Sequence, residues 1–247
     1  MTTQIIKNAK MMLGGYDLSG QLNSLSLQLG SEMQDDTVFG DNTRTSRSGI
    51  ITVSAEINGF VEDDSSDPKV GDRMYAEIGL ENSIFSAYPE NHAETDVGVA
   101  MKVMQGSFVP GGAVGDLHAF SADFQARSRL YNGTVVHNAS KTSTGNGTAL
   151  QLGAVGANDE LYAWMHVTSA VGTTLDVDIE SDNSGGFSSA TTRGSFTQVA
   201  TTVTSQLTAK LNSGAITDDW WRVAYTIAGG GPYVFLVGIS IIPALPT

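Results

Sequence analysis

The sequence predicts a mainly β protein: an N-terminal antiparallel β-sandwich or barrel module with one short helix and one long loop, then a C-terminal, jelly-roll-like β-sandwich. Three observations carry this expectation. Residues 21–29 and 51–57 alternate apolar and polar side chains with the period of a strand, on either side of a polar stretch. Beyond residue 146, some seven β-type segments alternate with Gly-, Asn- and Thr-rich turns, the signature of a sandwich. Helical periodicity is scarce throughout.

In chain order, Leu25, Leu27 and Leu29 fall on one face of the first strand, with Ser24, Ser26 and Gln28 on the other. Ile51, Val53, Ala55 and Ile57 repeat the pattern. Residues 30–48 between them, rich in Asp, Thr, Ser and Arg, read as one polar loop. Hairpin loops usually run about two to five residues, so a longer connector is either functional or disordered. A polar arm of this length on an antiparallel sheet suits a protein that grips a neighbour.

The one helix candidate spans residues 67–80, with Asp67 as N-cap and Pro68 at the first helical position, where its missing N–H costs nothing. Val70, Met74 and Ile78 would form its apolar stripe; Gly71 weakens it, and residues 74–78 read equally well as a strand. Residues 97–108 and 117–124 form a strand pair joined by the turn-rich segment 110–115. From Leu130 to Asn146 the chain turns polar, with a short strand candidate at 134–137, and the expected division is 1–137 and 138–247. Strands are then expected at 149–152, 161–169, 174–181, 194–199, 203–211, 220–227 and 233–241.

Among 247 residues, 26 acids outnumber 13 bases, a net charge of −13. Gripping nucleic acid requires cations that displace counterions, so this composition argues against it. The charge suits a surface over which DNA slides unheld, and equally plain solubility. The chain has no Cys, which removes disulfides and thiolate metal sites. Residues 1–15 lack the apolar core and cleavage site of a secretory signal. No apolar run approaches the roughly 18 residues of a membrane span. Synthesis in a reducing host cytoplasm, without a membrane partner, is expected. The sequons at Asn132, Asn138 and Asn146 then read as turn-rich segments.

Two clusters stand out in the second half. Asp176, Asp178, Glu180 and Asp182 recur at every second position, so a strand displays all four on one face while Leu175, Val177 and Ile179 enter the core. They read as a solvated or interface-facing acidic stripe; calcium is the alternative, although no calcium-loop spacing is present. Trp220-Trp221-Arg222 places one indole inward and its neighbour outward. An outward Trp can stack on a sugar, or be covered by Arg222 or a neighbouring subunit. His92, His118, His137 and His166 fit no metal-ligand spacing, and His166 reads as a hydrogen-bonded sandwich histidine. No nucleophile, phosphate-loop or zinc motif occurs, and the acid pairs Asp35-Asp36 and Asp63-Asp64 lack a basic partner, so no enzyme and no cofactor are expected.

The first half resembles the tail tube, or major tail, proteins of long-tailed bacteriophages. The likeness rests on Tyr16-Asp17-Leu18-Ser19-Gly20, the Leu25/Leu27/Leu29 strand, Asp36-Thr37-Val38-Phe39-Gly40-Asp41, and Gly49 leading into a strand that ends at Asn58-Gly59-Phe60. Gly115-Asp116-Leu117 with Phe120 resembles a late-strand motif of the same domain, and the helix candidate falls where that family has its helix. The second half is more weakly similar to accompanying sandwich modules. The resemblance implies a virion protein that self-assembles into stacked homo-hexameric rings, the hollow tail tube through which DNA passes without specific binding. Trimers with pseudo-sixfold symmetry are the alternative. It implies an inter-ring stacking loop made of Asp35, Asp36, Thr37, Val38, Phe39, Gly40, Asp41, Arg44 and Arg47, with tape-measure protein and tail terminator as partners. A carbohydrate-binding or host-adhesion module carried by Trp220 and Trp221, or a capsid decoration protein or other tail or baseplate component, remains as a competing reading.

Overall fold

Alternating sequence becomes paired strand over more than half of residues 8–40, 42–61 and 70–245, which the computed structural model describes. The first strands are β1 (Lys10–Leu13), β2 (Tyr16–Asp17), β3 (Leu22–Asp35) and β4 (Ser46–Phe60). Helix α1 (Val70–Glu77) precedes β5 (Ser83–Tyr88), β6 (Val97–Gly111), β7 (Ala119–Ala126) and β8 (Tyr131–Lys141). Then come β9 (Gly145–Asn146), β10 (Leu150–Gln151), β11 (Asp159–Ala170), β12 (Thr174–Asp182), β13 (Thr191–Ser195), β14 (Thr204–Leu207), β15 (Trp220–Ala228) and β16 (Tyr233–Pro243). The mainly β expectation holds, with α1 the only helix among the described residues.

The chain forms two compact units, neither continuous in sequence. One contains residues up to Gly20, Ser83–Lys102 and everything from Leu130; the other contains Gln21–Asn82 and Val103–Arg129. This differs from a division at 137/138. Strand β8 runs through that point from Tyr131 to Lys141, and the polar residues that suggested a linker are its solvent-facing and turn-flanking positions.

In the larger unit, strands follow the order β14-β11-β16-β8-β6-β5-β1-β2, with the first half of β6 taking part. This sheet curls until its ends approach: Ile84 N–H donates to Ser205 Oγ at 3.3 Å, linking β5 to β14. The interior so enclosed holds Met12, Ile84, Tyr88, Ala100, Val135, Trp164 and Leu236. The other face of β8, β11 and β16 packs on a second sheet, β10-β15-β12-β13 with β9 beside β15. Val177, Ile179, Trp221, Val223, Phe235 and Val237 lie in that sandwich core. Residues 163–167 are therefore buried on both faces, which explains a run more apolar than one-sided alternation requires.

In the smaller unit, β3 pairs with β4, β4 with β7, and β7 with the second half of β6, all antiparallel. Val53, Ala55 and Ile57 share one buried face with Phe120, Ala122 and Phe124. Helix α1 buries Val70, Met74 and Glu77, and Arg73 forms an i,i+4 ion pair with Glu77. Ile78 does not complete the expected stripe, being 44% exposed. The helix has ended before it: Gly79 takes φ +77° and donates its N–H to Gln105 O at 3.2 Å, and Ile78 becomes a bridge residue beside β6. Asp41, Asp63, Asp64, Asp67 and Pro68 lie outside the described residues.

Candidate assembly surface

Most of the stretch expected to be loop is strand. β3 continues to Asp35 and β4 begins at Ser46, so the connection shortens to residues 36–45. A bulge between Ser31 and Met33 interrupts the ladder, and this break in alternation hid the pairing from periodicity. Pairing of β4 with β7 starts only at Ser54. The preceding eight residues of β4 are flanked by β3 alone, a two-stranded ribbon reaching about 25 Å at roughly 3.3 Å per residue. Such a ribbon is marginal in water without further strands or a packed face.

At the ribbon's end the turn is held by its own polar groups. Asp35 Oδ1 accepts from Thr37 N at 3.0 Å and from Thr37 Oγ1 at 2.5 Å. Asp36 N–H donates to Thr45 O at 3.2 Å, while Asp36 Oδ2 accepts from Arg47 Nε at 2.5 Å. The Thr37 bonds hold Asp35 below its usual pKa, and Arg47 first, then Thr45, does the same for Asp36. Arg44 sits 3.7 Å from Asp35 with its side chain 88% exposed. The expectation that Asp35-Asp36 lacks a basic partner is corrected: Arg47, brought across by the pairing of β3 with β4, is committed to Asp36 within the turn, and Arg44 is held loosely by Asp35. Gly40, at φ +109°, turns the chain, and Phe39 stands fully in solvent beside an exposed Val38.

Strand β3 pairs with β4 on one side, and the opposite edge of its 14 residues pairs with no described strand. Leu25, Leu27 and Leu29 lie across from Ile57, Ala55 and Val53 and share their face. The partners on β4 are buried, but the leucines are 37%, 36% and 65% exposed. The apolar face of the sheet therefore outruns the cover available to this unit and ends at an open edge. Among the described residues, every exposed large hydrophobic except Val97, Val171 and Leu245 belongs to the smaller unit. Scattered apolar residues need no explanation, but such a concentration makes this unit the candidate for an interaction surface.

The reverse face is polar. Ser24, Asn58 and Ser121 align across the strands, as do Ser26, Glu56 and Asp123, and Gln28, Ser54 and Gln125. Glu56 and Asp123 supply its charge, and none of these rows contains a base. The exposed leucines were legible as one face of a strand, but their lack of cover was not. The acids Glu56 and Asp123 escaped notice because they lie 67 positions apart and only the register joins them.

The clusters of the second half are occupied internally. Trp221 is wholly buried and donates Nε1–H to Gly153 O at 2.8 Å. Trp220 is half-buried with its ring against Gly185. Arg222 bonds Glu180 through Nε at 2.8 Å and lies 4.2 Å above the Phe187 ring. Asp176 accepts from Gln198 Nε2 at 2.8 Å. Asp182 departs from the expected stripe: it is buried, and its two oxygens accept the backbone N–H groups of Ser184 and Ser189 at 3.1 and 2.7 Å. Alternation fails there because Ser181 and Asp182 are both buried where β12 turns into the following loop. Asp178 keeps its half-exposed position in the row. Among the described residues no group of three or more His, Cys, Asp or Glu is arranged to hold a metal. His166 is buried and its Nε2 shares a 2.9 Å hydrogen bond with Ser86 Oγ.

No protein family profile and no curated protein sequence matches this chain. Among solved structures, it is similar to the SPP1 Dit (gp 19.1) protein, described as a hub adsorption apparatus of phages infecting Gram-positive bacteria. That similarity is at 12% identity and a TM-score of 0.41, covering 96% of this chain and 100% of that one. It is similar to a chain of the sheath/tube terminator of the PVC extracellular contractile injection system at 12% identity and TM-score 0.43, over 53% of this chain and 97% of the other. It is also similar to a chain from the C6-symmetric tail of an empty gene transfer agent (GTA) particle at 16% identity and TM-score 0.40, over 52% and 97%.

Proposed function

We propose that this chain is a structural phage tail protein that self-assembles into rings, stacked to form the hollow tube through which DNA passes. The observation that carries the reading is the open edge of β3 joined to an uncovered apolar face. Unpaired N–H and C=O groups along a strand of this length recruit another strand, and a protein that avoids aggregation must close such an edge in a defined way. A second copy adding its sheet along β3 satisfies those groups and covers Leu25, Leu27 and Leu29. Each leucine so covered contributes on the order of 1 kcal/mol. Repeated around a ring, the contact closes into a barrel with no free edge.

In such a barrel the polar face carrying Ser24, Ser26, Gln28, Ser54, Glu56, Asn58 and Asp123 would face the lumen. Glu56 and Asp123 are then the acids that keep phosphate from sticking. Six copies per ring follow from the resemblance to tail tube proteins, as do a tape-measure protein and a terminator as partners. The glycan-binding alternative draws less support from the geometry, since Trp221 is buried and Arg222 is committed to Glu180.

Negative-stain microscopy of purified protein across a concentration series tests the proposal. Rings with a central hole, or tubes, are expected. A monomer that persists at high concentration and on nucleation by tail lysate would overturn it.

A further inference from the structure

We infer that residues 142–149 form an acid-released flap over His137: when the buried imidazole takes up a proton, the segment lifts and lets water reach the ring. The device begins with a bulge in β8. His137 lies across from Val237 and Val135 across from Gly238, so Val136 is an extra residue in the ladder. Val135 keeps to the barrel interior, whereas Val136 faces the sandwich core. Plain alternation from Val135 would send His137 into the barrel. The bulge instead turns its ring into the sandwich, 4.5 Å from that of Phe235 and 5.4 Å from that of Tyr225. Bulges re-aim side chains in this way.

The ring is buried, and neither of its nitrogens has a hydrogen bond. Charged and titratable groups face it from three elements. Glu94 of the β5–β6 loop places Oε1 3.5 Å from Nδ1. Tyr225 of β15 presents its ring, and Lys141, further along β8, holds Nζ 5.9 Å from the centre of that ring. One carboxylate without a hydrogen bond to the imidazole does not offset the burial of a cation. Burial therefore dominates and lowers the pKa from 6.5 to about 4, with Glu94 raising it and Lys141 lowering it.

The cover over Nδ1 is thin. A Cβ on Gly147 would lie 3.1 Å from His137 Nδ1, and one on Gly145 would lie 3.1 Å from Tyr225 Oη, so this backbone rests directly on both side chains. Yet no residue from 142 to 149 is buried. The segment is tied to β15 by the two residues of β9 and by Gly147 N–H donating to Val223 O at 2.7 Å. Ile227 N–H also donates to the exposed Thr144 Oγ1 at 3.0 Å. A segment with few apolar contacts and exposed hydrogen bonds opens locally at less cost than the whole domain.

Hydrogen exchange of the intact chain, read by mass spectrometry and corrected for the intrinsic rate at each pH, tests the flap. A ring with a pKa of 6.5 when open and about 4 when covered favours opening on the order of 50–100-fold more at pH 4.5 than at pH 7.5. Peptides spanning 142–149 should lose protection by that factor, while those of β11 and β16 keep theirs. His137→Leu should remove the pH dependence of the segment. A second variant, Asn146→Cys/Ala224→Cys, works on a chain that keeps His137 and has no other Cys. These positions are directly opposed, within the roughly 7 Å between Cα atoms that a disulfide spans. Oxidised, the pair should keep 142–149 protected at pH 4.5; reduced, the segment should open as in the wild type. Equal protection of 142–149 at the two pH values would overturn the inference. So would a loss shared by β11 and β16, which marks acid unfolding of the unit, or an oxidised pair that exchanges as fast as the reduced one.

Discussion

Glu56 stands directly across from Asp123 in the β4–β7 ladder, two carboxylates on the same exposed face. Like charges in this position destabilise a sheet by about 0.2–1 kcal/mol. Asp123 is partly compensated, accepting Ser107 Oγ at 2.7 Å. Glu56→Gln should therefore raise stability by an amount in that range, measured by urea unfolding at low salt. The gain should shrink as salt is added. A neutral or destabilising result would mean that the two carboxylates do not repel.

The exposed leucines give a separation between folding and assembly. Leu29 is 65% exposed, so Leu29→Lys should change subunit stability by no more than about 0.5 kcal/mol. The same change places a charge on the face a second copy must cover, and rings should fail to form. Sedimentation velocity beside a thermal melt reads both effects.

Two buried histidines make the larger unit acid-sensitive. His137 lies 4.5 Å from the Phe235 ring and 5.4 Å from that of Tyr225, and neither ring nitrogen has a hydrogen bond. Burial first lowers its pKa from 6.5 to about 4; Glu94, 3.5 Å away, raises it and Lys141 lowers it. His166 is lowered to about 3, by burial first and then by His92. Between pH 6.5 and about 4 the unfolded chain binds more protons than the folded one, so stability is full above 6.5 and falls as the pH drops through this window. His137→Leu should reduce the stability difference between pH 7.5 and 4.5 by on the order of 2–3 kcal/mol. An unchanged pH profile would show that His137 takes up its proton without loss of the fold.

Gly238 is required by its neighbour. A Cβ there would lie 2.1 Å from Trp164 Cζ2, and Trp164 is fixed by its Nε1–H donating to Tyr88 Oη at 2.9 Å. Gly238→Ala should cost about 1–3 kcal/mol through overpacking. Gly238→Ala with Trp164→Phe should recover part of the loss, and chemical denaturation of the set measures the coupling.

Period-2 alternation sufficed to find most strands, since Thr174–Asp182, Trp220–Ala228 and Tyr233–Pro243 each bury most of one face. It failed where something other than alternation decides the structure. The ribbon of β3 and β4 is polar and bulged, so no apolar row marks it until Leu29. Polar Tyr131–Lys141 becomes a central strand because it receives β16, whose sequence lies far downstream. The assembly surface was half legible: the Leu25/Leu27/Leu29 row announced a face, but only register revealed that β4 supplies its buried partners.

Strand β16 lies between β8 and β11, and residues 142–232 separate it from β8. On the ribosome, β8 and β11 therefore emerge as waiting flanks around a vacant slot. At about 5–20 residues per second, that slot stays open for several seconds. During translation the growing polypeptide carries two unfilled sheet borders of its own. Nascent copies on one polysome would be liable to exchange this strand, and a chaperone that shields β8 until residue 243 is made would raise the yield of competent subunits.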